Sequence, residues 1–169
     1  MHLVGRSFAG LALWLLAGCS PTFDWRETRV VDGLTSLFPC RPQVNTRRIV
    51  MAGDTMTMQL TSCSAGELTF AIGRLDVADA TRVEPVEQVL REALRVNLAA
   101  TAQTAASDNS SLRGDGSTQI DGTGPDGKPM QARSRIFHAA TTVFQATVIG
   151  RRLEPEAVDF FFSSIKASS

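Results

Sequence analysis

Alternating apolar and polar residues indicate a run of strands in the first half of the chain. Segment 55–61 alternates threonine and glutamine with three apolar residues, Met56, Met58 and Leu60. Because side chains in a strand point to opposite faces in turn, this pattern predicts one face on a core and one in water. Segment 47–52 precedes it across the turn pair Gly53-Asp54, and segment 67–75 follows. These short turns predict three neighbouring antiparallel strands.

Two later segments change from a period of two to a period of about 3.6 residues. Within 85–100 the apolar side chains recur at helical spacing and charged side chains fall opposite them, which predicts an amphipathic helix. A second helix is predicted to begin at Glu154-Pro155, because proline at the first helical position loses no intrahelical bond. Its apolar stripe, expected to be core, has the spacing i, i+3, i+4, i+7 and consists of Val158, Phe161, Phe162 and Ile165.

The remaining apolar runs complete the predicted fold. A first strand is predicted over 30–38, and others near 117–123, 130–137 and 141–149. The small and polar residues 101–111 indicate a loop. The order of a strand block, a helix, a second strand block and a helix predicts an α+β domain, in which an antiparallel β-sheet is packed by two main amphipathic helices.

The N-terminus has the pattern of an export signal. Arg6 precedes the apolar run 8–16, which is too short for the roughly 20 residues of a membrane-spanning helix. The small residues Ala17 and Gly18 and then Cys19 follow at once, and 16–19 resembles the lipobox of bacterial lipoproteins. That resemblance implies a signal peptide over 1–18, acylation (such as palmitate) on Cys19, and cleavage just before it.

The alternative is an ordinary secretory peptide that is cut nearby and leaves Cys19 as a thiol. If Cys19 carries more than one acyl chain, the protein is stably anchored to the membrane. Ser20 resembles the residue that follows the acylated cysteine of lipoproteins sorted to the outer membrane, so we expect a periplasm-facing outer-membrane location rather than the inner membrane. Residues 19–29 are then a tether, and 30–169 a single domain.

Composition excludes some classes of protein. The chain has 17 basic and 17 acidic residues, so no strong field favours nucleic acid or anionic lipid, and we expect no nucleic-acid partner. With 43% hydrophobic residues the composition indicates a globular domain. The roughly 150 residues left after the signal segment suit one domain with its own core.

Two cysteines remain once Cys19 is assigned to lipid. Cys40 and Cys63 form an even pair in an oxidising compartment, which predicts a disulfide bond between them. Cys63 breaks parity with the apolar residues of 55–61, so the pairing also predicts a bulge or a strand end near Ser62. Two buried free thiols are the alternative.

Three segments carry a resemblance to known proteins: Leu37-Phe38-Pro39-Cys40-Arg41-Pro42, the 143–150 strand, and Phe160-Phe-Phe-Ser-Ser-Ile-Lys166. They look like the PsbP-like group of α/β/α sandwich domains. The chain is also similar to uncharacterised proteobacterial lipoproteins that begin with Cys-Ser-Pro-Thr-Phe-Asp-Trp-Arg. The resemblance implies a small extracytoplasmic accessory domain that binds or assembles partners, usually without catalysis.

Linear motifs for catalysis, for cofactors or for metals are not present, and we expect no cofactor and no metal. His138 could be a general base, although an isolated histidine in a strand favours a structural role. Four aspartates invite a calcium site, but their spacing misses the EF-hand loop and favours turns. These are Asp108, Asp115, Asp121 and Asp126.

Two hypotheses from different classes remain. The first is a membrane-anchored, non-catalytic module that binds an envelope protein or assists envelope assembly. The second is a small-ligand carrier or an enzyme whose site is dispersed in sequence. A deep pocket that gathers His138 with carboxylates would favour the second hypothesis, and a shallow surface would favour the first.

Overall fold

The computed structural model describes residues 22–99, 110–112 and 115–167. In these ranges the chain forms an α+β fold of ten strands and two α-helices. The first strands are β1 (Arg26–Val31), β2 (Leu34–Phe38), β3 (Gln43–Met51), β4 (Asp54–Ala65) and β5 (Leu68–Asp76). The elements that follow are α1 (Val83–Ala99), β6 (Ser110–Leu112), β7 (Thr118–Thr123), β8 (Pro129–Ala139), β9 (Thr142–Gly150), α2 (Pro155–Ser163) and β10 (Lys166–Ala167).

Seven strands form one antiparallel sheet in the order β3-β4-β5-β9-β8-β7-β6. The predicted neighbours β3, β4 and β5 are confirmed, because each strand follows the previous one through a tight turn. The first of these turns lies one residue earlier than predicted, at Ala52 and Gly53, whose φ angles are 51° and 84°. Two successive positive φ angles suit the twist of a two-residue hairpin.

Helix α1 covers one face of this large sheet. A 3₁₀ turn over Ala80–Arg82 leads into it, so helical structure begins before the predicted start at residue 85. The apolar stripe of the helix packs on the apolar side chains that β4, β5 and β9 present to this face. The buried members of this core are Met56, Met58, Leu75, Val77, Val83, Val86, Leu90 and Val143.

Helix α2 and a second sheet cover the opposite face. This small sheet has the order β1-β2-β10. Val158, Phe161 and Phe162 of the predicted stripe are buried, which confirms α2 as a core helix, and Ile165 packs on the same core from beyond the helix end. The large sheet therefore lies between two covering layers.

The prediction of a single strand over 30–38 was wrong. The segment is interrupted at Asp32 and Gly33, which turn the chain so that β1 and β2 pair as a hairpin. Gly33 has a φ of 84°, a conformation that glycine adopts without strain. Within the described ranges the first strand begins at Arg26, inside the segment 19–29 that was predicted to be a tether.

Cys40 and Cys63 form a disulfide bond with a Cα–Cα distance of 6.0 Å. The predicted bulge or strand end near Ser62 is wrong, because β4 continues to Ala65 and keeps an unbroken register with β3 as far as Ser62 and with β5 through Cys63. Its two ends are covered on opposite faces: Met56 and Met58 lie under α1, and Cys63 packs on the core under α2. The disulfide joins the end of β2 to the large sheet.

No helix within the described ranges is both long enough and apolar enough to span a bilayer. Cys19 and the predicted signal segment lie outside these ranges, as does most of the predicted loop 101–111.

Candidate functional site

His138 stands near the end of β8 and contacts α1. Its Nδ1 lies 2.8 Å from Oε1 of Glu87, whose other oxygen accepts a hydrogen bond from Arg91 at 2.7 Å. Burial pushes the pKa of Glu87 up, but the hydrogen bonds with His138 and Arg91 outweigh it and hold the pKa below its usual value. The His138 side chain remains 53% exposed. The arrangement ties the sheet to α1 through one carboxylate.

The aspartates that suggested a calcium site do not lie together in the described part of the chain. Asp115 and Asp126 accept backbone hydrogen bonds from the residues two positions ahead, which confirms turn chemistry for both. Asp121 instead lies within β7 and accepts a hydrogen bond from Gln131 across the strand pair, so a turn role for it was wrong. Asp108 lies outside the described ranges. No cluster of three or more His, Cys, Asp or Glu suited to a metal occurs in the described part of the chain.

A buried arginine lies at the centre of a polar cluster between the large sheet and α2. Arg133 on β8 is 5% exposed and donates to Ser117 Oγ at 2.7 Å. It also pairs with Asp115 and with Asp159 of α2, and its guanidinium lies 4.9 Å from the ring centre of Phe162. Each of its three guanidinium nitrogens donates to one of these polar groups, and because Asp159 lies on α2, Arg133 positions α2 against the sheet.

The same cluster perturbs one carboxyl group strongly. Burial alone would raise the pKa of Asp115, but hydrogen bonds from Ser117 and Arg133 together with the charge of Arg133 lower it to about 2. Asp115 is therefore ionised throughout the neutral range. Its negative charge compensates a guanidinium that burial would otherwise destabilise.

Strand β3 is a highly exposed element of the large sheet. Among the described strands it pairs with β4 alone, so one side of its backbone carries no strand neighbour. All residues from 43 to 48 are exposed, and Val44 and Val50 are 58% and 76% exposed. Across residues 22–99, 110–112 and 115–167, neither Arg47 nor Arg48 has a carboxylate at ion-pair distance.

The hairpin that ends β3 is held in place by the 3₁₀ turn that precedes α1. Arg82 donates to the carbonyl oxygen of Ala52 and pairs with Asp54, one on each side of the turn. This bracing fixes the direction of the hairpin, so the free side of β3 is a preformed surface. A strand that is already ordered loses little conformational entropy when it binds.

A cleft of about 750 Å³ lies between α1 and the sheet. Its volume falls in the range of small-molecule sites. The apolar lining residues are Val89, Leu94, Ile120 and Ile136, and the charged ones are Arg91, Glu92 and Arg95. His138 and Glu87 do not line it, so the structure does not bring His138 together with the cleft.

Comparisons with protein-family models, with curated proteins and with solved structures found no match to this chain.

Arg133 and the free side of β3 were both missed from the sequence. No linear motif could have indicated the Arg133 cluster, because its partners Asp115 and Asp159 come from distant segments. For β3 a signal was present: Arg47-Arg48 places a charge on each face of one strand, which is typical of edge strands.

Proposed function

We propose that the chain is a lipoprotein anchored by Cys19, and that its domain binds a protein partner of the cell envelope without catalysis. The observation that carries the proposal is the free side of β3. An extended segment can add to such an edge through main-chain hydrogen bonds, while alternate side chains give specificity. The resemblance to accessory lipoproteins agrees with this role.

Charge indicates what kind of segment would bind. Arg47 and Arg48 point to opposite faces of β3, so a strand added there would meet a guanidinium on each face. An acidic extended segment would pair with both arginines. A second copy of β3 would instead bring four arginines together, and like charges across a strand pair are destabilising. The proposed partner is therefore an acidic segment of another protein.

Site-specific photocrosslinking in the native envelope tests this proposal. A photoreactive residue in place of Val50 should yield a discrete heterologous adduct. The same residue in place of Val96 serves as a matched control, because Val96 is 46% exposed and lies on α1. We expect Arg47→Glu together with Arg48→Glu to reduce the Val50 adduct at least tenfold while the folded domain persists.

Two outcomes would contradict the proposal. Equal adducts from Val50 and Val96 would show that capture does not depend on β3. An adduct of Val50 with a second copy of the chain, accompanied by a dimer in solution, would replace the acidic partner with self-association.

We propose the outer membrane as the location, because of Ser20. Density fractionation of envelopes should recover the mature protein with outer-membrane markers, and replacing Ser20 with Asp should move it toward the inner membrane. Recovery of the unaltered protein mainly in inner membranes would overturn this assignment.

The cleft between α1 and the sheet favours a second candidate function. The protein would then be a small-ligand carrier, or an enzyme whose site residues are distant in sequence. The apolar lining of the cleft, with charged residues at the rim, suits an amphipathic molecule. Extraction and mass spectrometry of protein purified from its own envelope tests this candidate. A stoichiometric small molecule that is lost on Ile136→Trp, a substitution that fills the cleft, would support it over the β3 proposal.

A further inference from the structure

Three aromatic side chains form a patch beside the point where the described chain begins. We call Phe23, Trp25 and Phe160 the aromatic patch. The ring centres of Trp25 and Phe160 lie 4.7 Å apart, and those of Phe23 and Trp25 lie 5.8 Å apart. Together with Ala157 they line a shallow hollow of about 310 Å³ on the surface.

The aromatic patch has a buried side and an exposed side. Phe23 and Trp25 pack edge-on against Phe70 of the core, at 6.1 Å and 5.9 Å. Phe160 lies outside the buried stripe of α2 and remains 45% exposed. The core therefore fixes the orientation of the patch while leaving Phe160 and part of Trp25 open.

The length of chain before the aromatic patch limits its distance from the proposed anchor. Phe23 is four residues beyond Cys19. Four residues span at most about 14 Å when fully extended. An acylated Cys19 stands at the headgroup level, so Phe23 must lie close to that layer.

We propose that the aromatic patch contacts the headgroup layer of the bilayer and orients the domain on the membrane. This inference rests on the proposed acylation of Cys19. Tryptophan and other aromatic rings favour the interface because one side can be apolar while the other stays wet.

The charges beside the aromatic patch select the kind of lipid. The charged residues that line the hollow are Glu154 and Glu156. Carboxylates repel anionic headgroups and attract the ammonium of zwitterionic ones. The occupant is thus a zwitterionic lipid surface.

The experiment uses the mature protein from its own envelope, after intact mass has shown whether Cys19 carries lipid. Trp14 belongs to the predicted signal segment, so Trp25 is then the single tryptophan. In phosphatidylethanolamine–phosphatidylcholine vesicles with bromine near the carbonyl end of the acyl chain, we expect Trp25 emission to be quenched at least twofold. A photoreactive residue in place of Phe160 should label lipid, and the same residue in place of Val96 should not.

The outcomes separate this inference from the proposed function. Acylated, vesicle-bound protein whose Trp25 is not quenched and whose position 160 labels no lipid would overturn the inference and leave the anchor intact. Protein without lipid on Cys19 would overturn both. Stronger quenching in phosphatidylglycerol vesicles would overturn the assignment to zwitterionic lipid.

Discussion

Arg133 on β8 pairs with Asp159 on α2 while its own side chain is buried. Asp159 is 61% exposed, so a surface carboxylate holds the outer end of a buried cation. The pair joins the large sheet to the helix that carries Phe161 and Phe162. The stability of the α2 layer therefore depends on a polar contact as well as on apolar burial.

Arg133→Met should lower the free energy of unfolding by about 2 to 4 kcal/mol, because Ser117, Asp115 and Asp159 lose their shared donor. Urea unfolding measures the change. Arg151→Ala is the control: Arg151 is exposed and lies 3.7 Å from Asp126, so its loss should cost under about 0.5 kcal/mol. Equal effects of the two substitutions would show that the Arg133 cluster adds no stability.

Asp115 should make the domain sensitive to acid. Its pKa falls from the ordinary 3.8 to about 2 on folding, so the folded state favours the ionised carboxyl. The stability that this provides is fully present above the unfolded pKa and is lost as the pH falls through the folded pKa. Asp115→Asn should therefore flatten the dependence of unfolding free energy on pH between 3.8 and about 2. An unchanged slope would contradict the role of Asp115.

Loss of the Cys40–Cys63 bond should lower the thermal midpoint without unfolding the domain. The cysteines are 23 positions apart, and closing a loop of that size stabilises by about 3 kcal/mol in the chain-entropy model. The cores on both faces of the sheet remain in Cys40→Ser. Thermal unfolding of this variant and of the reduced wild type should agree. Two free thiols in unreduced mature protein, found by mass spectrometry, would refute the bond.

Gly122 should be intolerant of a side chain. A Cβ there would stand 2.2 Å from the carbonyl oxygen of Leu98, a backbone atom of α1 that cannot move alone. Gly122→Ala should cost about 1 to 3 kcal/mol or more. The control is Gly73→Ala, whose Cβ would meet the flexible end of Met58 at 2.9 Å and should cost less. If thermal unfolding showed Gly73→Ala to be more destabilising than Gly122→Ala, the close contact between Gly122 and α1 would be contradicted.

Local pattern predicted most of the strands and both helices, because period and turn chemistry are properties of short segments. The alternation around Met58 located β4, and Pro155 located the start of α2. The prediction failed where the pattern depends on the neighbouring layer. The prediction of a bulge at Cys63 assumed that β4 buries the same face along its whole length. In the structure one end of β4 buries its α1 face and the other end buries its α2 face, so Cys63 can pack on the core without a bulge.

The candidate site depended on strand order, which the sequence does not contain. Arg47 and Arg48 are consistent with an edge, but only the position of β3 at the end of the order leaves one side of its backbone without a neighbour among the described strands. The Arg133 cluster could not be predicted from the sequence for a similar reason. Its partners Asp115 and Asp159 are separated from it by 18 and 26 positions.

The proposed anchor gives the last prediction. Metabolic labelling with a fatty-acid analogue should mark the wild-type protein, because the thiol of Cys19 follows the small residues Ala17 and Gly18 at the end of an apolar run. Cys19→Ala should remain unlabelled and uncleaved, since it lacks the acylated thiol that precedes cleavage. Cys40→Ser is the matched control, because it also removes one thiol but should label like the wild type. Equal labelling of wild type and Cys19→Ala would overturn the lipoprotein assignment. Loss of labelling in Cys40→Ser would indicate that Cys40, and not Cys19, carries the modification.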